Sequence, residues 1–345
     1  MDRLFSPITL ENLTIKNRLV MAPMCMYAAG NAGHVTDFHV QHYATRAMGG
    51  IGLVTVEATG VLENGKITDN CLGIYSDSHI DGLSRLVKAV HANGAKIAIQ
   101  LAHAGRKCTV AVPQIYGPTD QPFNDTFQTP VAMTEKQIAE VVKAFGDGAF
   151  RAKKAVFDMV QIHGAHGYLL STFLSPLTNT RTDDYGGTVE KQARFLLEIT
   201  RAVKANFDGP VSLRVNGSDH KDGGLTPETI SHLINLVKNQ GICLIDVSSG
   251  ALVSNPDYTA YPGHQIPMSS TIKTLTQLPV IGGGIVTQTT HVQSIIHSGS
   301  ADLVYLGRRL LTHPFFPLEI ADELGSRPDW PYTDRALKSM GRYEK

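Results

Sequence analysis

The sequence predicts a single (β/α)8 TIM barrel of the α/β class. Eight short apolar runs rich in β-branched residues recur along the chain, and helical periodicity separates most of them. Strand–helix alternation repeated eight times closes into a parallel barrel. No G-x-G-x-x-G follows the first run, which weighs against the competing reading, an open doubly wound sheet. The 345 residues suffice for one such barrel, whose usual size is about 250 residues before insertions. Residues 1–345 therefore read as one domain, with a C-terminal tail from about 325 to 345.

Residues 5–18 precede the first core strand and are expected to form a hairpin closing the barrel's amino-terminal mouth. The eight strand runs are Leu19–Pro23, Leu53–Thr59, Lys96–His103, Met159–His163, Val211–Val215, Leu244–Ser248, Pro279–Gly283 and Leu303–Gly307. Between the second and third, Asp77–Ala92 sets Leu83, Leu86, Val87 and Val90 on one helical stripe, and Gly94 is placed to end it. Thr134 opens another helix, with Gln137 completing a capping box. Thr226 reads as an N-cap followed by Pro227 at the first helical position. Two connections exceed ordinary turns. One runs over residues 104–132 after the third strand and holds Pro113, Pro118, Pro122 and Pro130; the other runs over 167–188 after the fourth. Both follow strand ends and are expected to cover a site.

Composition narrows the function. Lysine plus arginine equals aspartate plus glutamate at 31 each, so the net charge is zero and no electrostatic footprint for nucleic acid exists. No apolar run approaches the roughly 20 residues that span a bilayer. The start Met1–Pro7 has no signal-peptide core. A cytoplasmic protein with neither membrane nor nucleic-acid partner is expected. Cys25, Cys71, Cys108 and Cys243 are far apart and form no C-x-x-C pair, so neither a structural zinc site nor a disulfide framework is expected.

The chemistry concentrates in His163-Gly164-Ala165-His166-Gly167-Tyr168, at the end of the fourth run. Catalytic groups of a barrel sit at the carboxyl ends of its strands. Imidazoles there can stabilise a developing enolate oxygen, and a phenol can protonate carbon. As metal ligands the pair is weak, because H-x-x-H needs further ligands. A metal-dependent hydrolase barrel would carry H-x-H on an early strand, and the first run here has no histidine. Simple core histidines are the other reading; two histidines and Tyr168 leaving one strand end weigh against it.

Gly282-Gly283-Gly284 and Gly307-Arg308-Arg309 follow strands seven and eight. Loops at those positions commonly bind phosphate, through glycine backbone, helix amino ends and positive charge. Taken alone, either glycine run also suits a tight turn. Gln100 and Arg214 lie near the ends of strands three and five. An amide suits the pyrimidine edge of a flavin, and a guanidinium suits its N1 region. Either residue would equally serve as a satisfied polar group between barrel layers. Cys25 and Tyr27 follow the first strand. Cys25 reads either as a cofactor contact or as a small buried hydrophobe. Tyr27 reads as a donor to a substrate carbonyl or as packing.

Several segments together resemble the old yellow enzyme family of FMN-dependent ene-reductases. They are Leu4–Pro7, Asn17–Met24, Ile99–Arg106, Ser175–Arg181 and Tyr185–Gly187. The likeness runs from about residue 3 to 318. Met24-Cys25-Met26-Tyr27 and the histidine pair are similar to the bacterial YqjM-like NADPH dehydrogenase subgroup. The resemblance implies noncovalent FMN at the carboxyl mouth, reduced by NADPH or NADH. It implies that Ala22, Pro23, Met24 and Cys25 line the ring, that Ala58 and Gln100 meet its edge, and that Arg214 lies near N1. Gly284, Gly307 and Arg308 would hold the phosphate. His163 and His166 would bind the substrate carbonyl beside Gly164 and Ala165, with Tyr27 assisting and Tyr168 donating the proton. The implied partners are enones or other activated alkenes, and the implied assembly is a homodimer or homotetramer. The subgroup often ends in an arginine that reaches a neighbouring subunit's active site; here Lys345 takes that place, without the planar guanidinium fork. Two further functions remain open at this point: a flavin dehydrogenase for another small molecule, such as a dihydropyrimidine, and a noncatalytic flavin redox sensor with Cys25 as its switch.

Overall fold

The computed structural model describes residues 2–326 and Arg335. Eight parallel strands form a closed barrel: β1 (Leu19–Met21), β2 (Leu53–Gly60), β3 (Lys96–Ala102), β4 (Met159–Gly164), β5 (Val211–Asn216), β6 (Ile242–Ser248), β7 (Val280–Gly282) and β8 (Leu303–Leu306). Each pairs with its sequence neighbour, and β8 closes on β1 through Val304–Leu19 and Leu306–Met21. Every residue of β1, β2, β4, β5, β7 and β8 is buried. That is why these segments read as continuous apolar runs and not as alternating ones: both faces of the sheet are covered.

The helices are α1 (Asp37–Met48), α2 (Ile80–His91), α3 (Glu135–Lys154), α4 (Leu169–Leu174), α5 (Val189–Asn206), α6 (Pro227–Val237), α7 (Ile266–Thr276), α8 (Thr289–His297), α9 (Arg308–Thr312) and α10 (Phe316–Glu323). The α2 stripe of Leu83, Leu86, Val87 and Val90 is fully buried against the outside of the barrel. Each such side chain contributes about 1.5–3 kcal/mol. Gly94, at φ 72°, follows that helix as expected. Thr134 and Gln137 form the expected capping box on α3, and Thr226 with Pro227 opens α6.

Ile8–Leu10 and Leu13–Ile15 pair as an antiparallel hairpin. Leu10, Leu13 and Ile15 pack with Leu53, Met159, Leu244 and Leu303 inside the amino-terminal end of the barrel. The hairpin is the expected plug of the amino-terminal mouth.

The connections depart from expectation in two places. Segment 167–188 is not loop throughout, because α4 forms within it. Every residue of α4 is buried, Ser171 and Thr172 included, so the helix has no solvent face and no amphipathic period that sequence could reveal. A third long connection, residues 249–265, follows β6. Pro256 and Pro262 lie in it, and α7 starts only at Ile266 with proline in its first turn. The segment after β3 contains a two-residue parallel pair, Tyr116–Gly117 with Val131–Ala132. Arg181 fastens it by donating to the carbonyls of Pro118 and Met133 at 2.9 and 2.8 Å. The tail that was expected to carry Lys345 lies, beyond Ser326 and apart from Arg335, outside the described residues.

Candidate active site

At the end of β4 the chain turns through two successive left-handed residues, His166 (φ 62°) and Gly167 (φ 70°). A Cβ on Gly167 would lie 2.6 Å from the carbonyl oxygen of Ala251, so glycine is required there. The turn folds three rings together. His163 lies 5.3 Å from His166 and 5.1 Å from Tyr168, edge to face, and His166 lies 6.4 Å from Tyr168. The strained His166 backbone is held from both sides. Its N–H donates to Asn216 Oδ1 at 3.1 Å, and its carbonyl accepts from Lys107 Nζ at 2.9 Å.

Burial, followed by the charges of Arg214 and Lys107, holds both imidazoles well below the ordinary histidine range; His163 is lowered further by His166. They are neutral at pH 7. The hydrogen bonds then assign their protons. His163 Nδ1 accepts from the Ala165 N–H at 3.4 Å, which leaves the proton on Nε2. His166 Nε2 lies 2.7 Å from Ser248 Oγ, which itself accepts from Gln265 Nε2 at 3.4 Å. Ser248 has one hydroxyl proton that it can donate to His166 Nε2, the arrangement in which His166 Nδ1 carries the N–H. Burial pushes the Tyr168 phenol far above its usual value, with Cys25 and Tyr27 adding to the shift. Tyr168 stays protonated.

Arg106 and Lys107 tie three mouth loops together. Arg106 Nη2 donates to the Leu252 carbonyl at 2.6 Å, and Lys107 Nζ bonds the carbonyl of Ala251 as well as that of His166. Phe123 lies under both cations, 3.9 Å from Lys107 Nζ. Burial, then the charge of Arg106, lowers the Lys107 ammonium to about 8.

After β1, Ala22 N–H donates to the Leu306 carbonyl at 3.0 Å, and Pro23, Met24, Cys25 and Tyr27 follow along the mouth. A register shift between Val56 and Ala58 makes Glu57 a bulge residue in β2. Its carboxyl accepts from Met26 N–H at 2.9 Å and from Tyr43 Oη at 3.2 Å, fixing the Cys25 segment from behind. Burial raises Glu57 to about 7, against those two hydrogen bonds. A hydrogen bond with Cys71, with burial, raises the Cys25 thiol, so it is a thiol and not a thiolate. Tyr27, at φ 54° and 48% exposed, stands on the rim. Gly164 and Ala165 are buried in the strand end.

Polar side chains line the barrel interior below. Ala58 and Gln100 are register partners. Gln100 Nε2 donates to Gln161 Oε1 at 2.7 Å, and Gln161 Nε2 donates to Asp246 Oδ2 at 3.1 Å. Asp246 pairs with Arg214 Nη1 at 3.4 Å. Arg214 Nε and Asp246 Oδ1, both buried, have no partner. Such orphaned polar atoms mark a place for a polar ligand edge. Beside them a cavity of about 650 Å³ is lined by Met24, Gly284, Gly307 and Arg308, together with Tyr258 and Tyr305. Gly284 sits at φ 95°, and a Cβ at Gly307 would meet nothing closer than 3.7 Å. Gly282 and Gly283 have packing reasons to be glycine. Added Cβ atoms would press on α7 at 3.0 Å and on the Tyr305 ring at 2.7 Å.

Asn216, Ser248, Gln161, Asp246 and Tyr305 were not singled out in the sequence. The available signal was a polar residue interrupting an apolar strand run, in Val215-Asn216, Val160-Gln161-Ile162 and Ile245-Asp246-Val247.

Fold and comparison define one class of protein: an FMN-dependent oxidoreductase built on an α/β barrel. The family model described as NADH:flavin oxidoreductase / NADH oxidase matches residues 3–326. The chain belongs to that family and is of the old yellow enzyme type. An NADPH dehydrogenase of Bacillus cytotoxicus is 46% identical over 324 residues, covering 94% of this chain and 93% of the relative. A solved old yellow enzyme homologue from Zymomonas mobilis superposes with a TM-score of 0.80 at 26% identity, covering 96% of each chain. A 2-naphthoyl-CoA reductase, solved with 2-naphthoyl-CoA, gives a TM-score of 0.88 at 26% identity. That match covers 93% of this chain but spans only 52% of the longer reductase. FMN is the cofactor of this protein, and a nicotinamide nucleotide is its reductant. Among the described residues no helix is long and apolar enough to cross a membrane, and no cluster of histidine, cysteine and carboxylate side chains could hold a metal ion.

Proposed function

We propose that this protein is an ene-reductase, which saturates the activated C=C bond of α,β-unsaturated carbonyl compounds at the expense of NADPH or NADH. One observation carries the reading: two neutral imidazoles and a protonated phenol converge at the carboxyl mouth of the barrel.

Bound FMN supplies the hydride that reaches Cβ of the alkene. The residues around the cavity support its binding there. Gly284, Gly307 and Arg308 hold the phosphate. Ala22, Pro23, Met24 and Cys25 wall the ring face, Ala58 and Gln100 meet its edge, and Arg214 offers its orphaned Nε–H. His163 Nε2–H and His166 Nδ1–H donate to the carbonyl oxygen of the substrate. As hydride arrives at Cβ, negative charge grows on that oxygen, and two oriented donors in a dry site stabilise it. Tyr168 gives its proton to Cα and regains one from solvent. Its raised pKa keeps it loaded over the whole physiological range. Tyr27 closes the rim, and Gly164 with Ala165 form the wall between the histidines.

Neutral imidazoles suit this task. A fixed neutral N–H donor bonds the enolate oxygen more strongly than the ground-state carbonyl, and that difference is what lowers the barrier. The cysteine thiol contacts the ring and attacks nothing.

Steady-state assay tests the reading. Under anaerobic conditions, purified, FMN-loaded protein should consume NADPH beyond one equivalent per flavin only when given an activated alkene such as 2-cyclohexen-1-one, with cyclohexanone formed in equal amount to that further NADPH. NADPH oxidation with no saturated product from any enone, enal or maleimide would contradict it.

A further inference from the structure

We propose that Asp246 sets the reducing strength of the flavin by neutralising Arg214, and so acts as a positioning residue remote from the substrate. The inference rests on FMN occupying the mouth as proposed above.

Arg214 on β5 and Asp246 on β6 are direct register partners, so both side chains enter the barrel side by side. They lie 3.4 Å apart with 6% and 2% of their side chains exposed. Nothing in the hydride or proton steps needs a carboxylate there. Burial raises the Asp246 pKa on balance, against the lowering by Arg214 and then Gln161. An adjacent guanidinium, always charged, favours the ionised form. Asp246 also accepts from Gln161, which accepts from Gln100. One chain of contacts thus runs from Gln100 on β3 through Gln161 on β4 and Asp246 on β6 to Arg214 on β5. The Tyr305 ring, 5.3 Å from the Arg214 guanidinium, closes the other side.

A guanidinium alone beside the pyrimidine end of a flavin stabilises the negative charge that the ring gains on reduction. It makes the reduced ring a weaker hydride donor. A carboxylate at 3.4 Å in a low-dielectric interior offsets much of that field. Arg214 keeps its geometry and its N–H donors, while the net charge at the site falls toward zero. The cofactor then binds to an oriented donor without losing its power to reduce an alkene.

The test is the reduction equilibrium of FMN-loaded variants, read against a reference dye. D246N should shift the equilibrium at least tenfold toward reduced FMN, about 30 mV for a two-electron couple. D246E, which keeps the charge, should stay closer to wild type than D246N. A yellow D246N whose equilibrium matches wild type overturns the proposal and leaves the FMN reading standing. Wild-type protein that takes up no FMN overturns the FMN reading instead. If D246N alone fails to fold around an unpaired Arg214, the pair R214Q and R214Q/D246N decides. The double variant should be the more easily reduced of the two; equality overturns the proposal. Loss of FMN uptake in both asparagine variants also overturns it, since the carboxylate would then serve folding alone.

Discussion

Lys107 Nζ lies 2.9 Å from the carbonyl oxygen of His166, and the same ammonium bonds the carbonyl of Ala251. Both residues have left-handed backbones, at φ 62° and 60°. One cation from the β3 loop therefore pins two strained turns from the β4 and β6 loops. Lys107→Met should retain FMN but slow reoxidation of the reduced enzyme by enone roughly 10- to 100-fold, because a misplaced His166 no longer meets the carbonyl oxygen. The ammonium titrates at about 8. Wild-type reoxidation should fall as pH rises through that value, and the variant should lack the step. Stopped-flow traces from pH 6 to 9 read both effects.

Tyr168 is the only proton source assigned to the alkene half-reaction. Tyr168→Phe should slow reoxidation by enone about 10²–10⁴-fold and leave reduction of the flavin by NADPH near wild type. Equal slowing of the two half-reactions would remove the phenol from its assigned role.

Gly167 connects the two elements of the site. Gly167→Ala forces a side chain into a left-handed backbone and within 2.6 Å of the Ala251 carbonyl. The backbone term alone is about 1–2 kcal/mol, and the contact adds to it. Chemical denaturation should show a loss of at least about 2 kcal/mol. A variant as stable as wild type would mean that the turn does not have the conformation described.

Glu57 couples stability to pH in an uncommon direction. Its folded-state pKa is raised to about 7 from 4.5. Between those values the native state binds a proton that the unfolded state has released, so this residue's contribution to stability falls as pH rises from 4.5 to 7. The full penalty, on the order of 3 kcal/mol, is present above pH 7. Glu57→Gln should therefore be less destabilised relative to wild type at pH 8 than at pH 5. Denaturation midpoints at the two pH values check the sign. No difference would place the carboxyl at its ordinary pKa.

The barrel was legible because its physics is local and repeated. Buried parallel strands are continuous apolar runs, and the α2 stripe of Leu83, Leu86, Val87 and Val90 carries a helical period. The ring cluster at the end of β4 was legible because His163, His166 and Tyr168 are close in sequence. What escaped was non-local or unpatterned. α4 is buried on every side, Ser171 and Thr172 included, and has no solvent face whose period could be read. The Glu57 bulge depends on how β2 registers with β3, which sequence does not display. Ser248 reaches His166 only across the mouth, and Asp246 meets Arg214 only once β5 and β6 are paired. Each looked like an isolated polar residue in a strand until the barrel closed.

The most direct measurement is an anaerobic single turnover in which NADPH-reduced enzyme is mixed with 2-cyclohexen-1-one and the flavin absorbance is followed. The absorbance should return with one cyclohexanone per flavin, and His163→Ala should slow that return about 10²–10³-fold. Flavin that stays bleached with the enone, or a His163→Ala enzyme that recovers at the wild-type rate, would contradict the assignment of the imidazole pair to the substrate carbonyl.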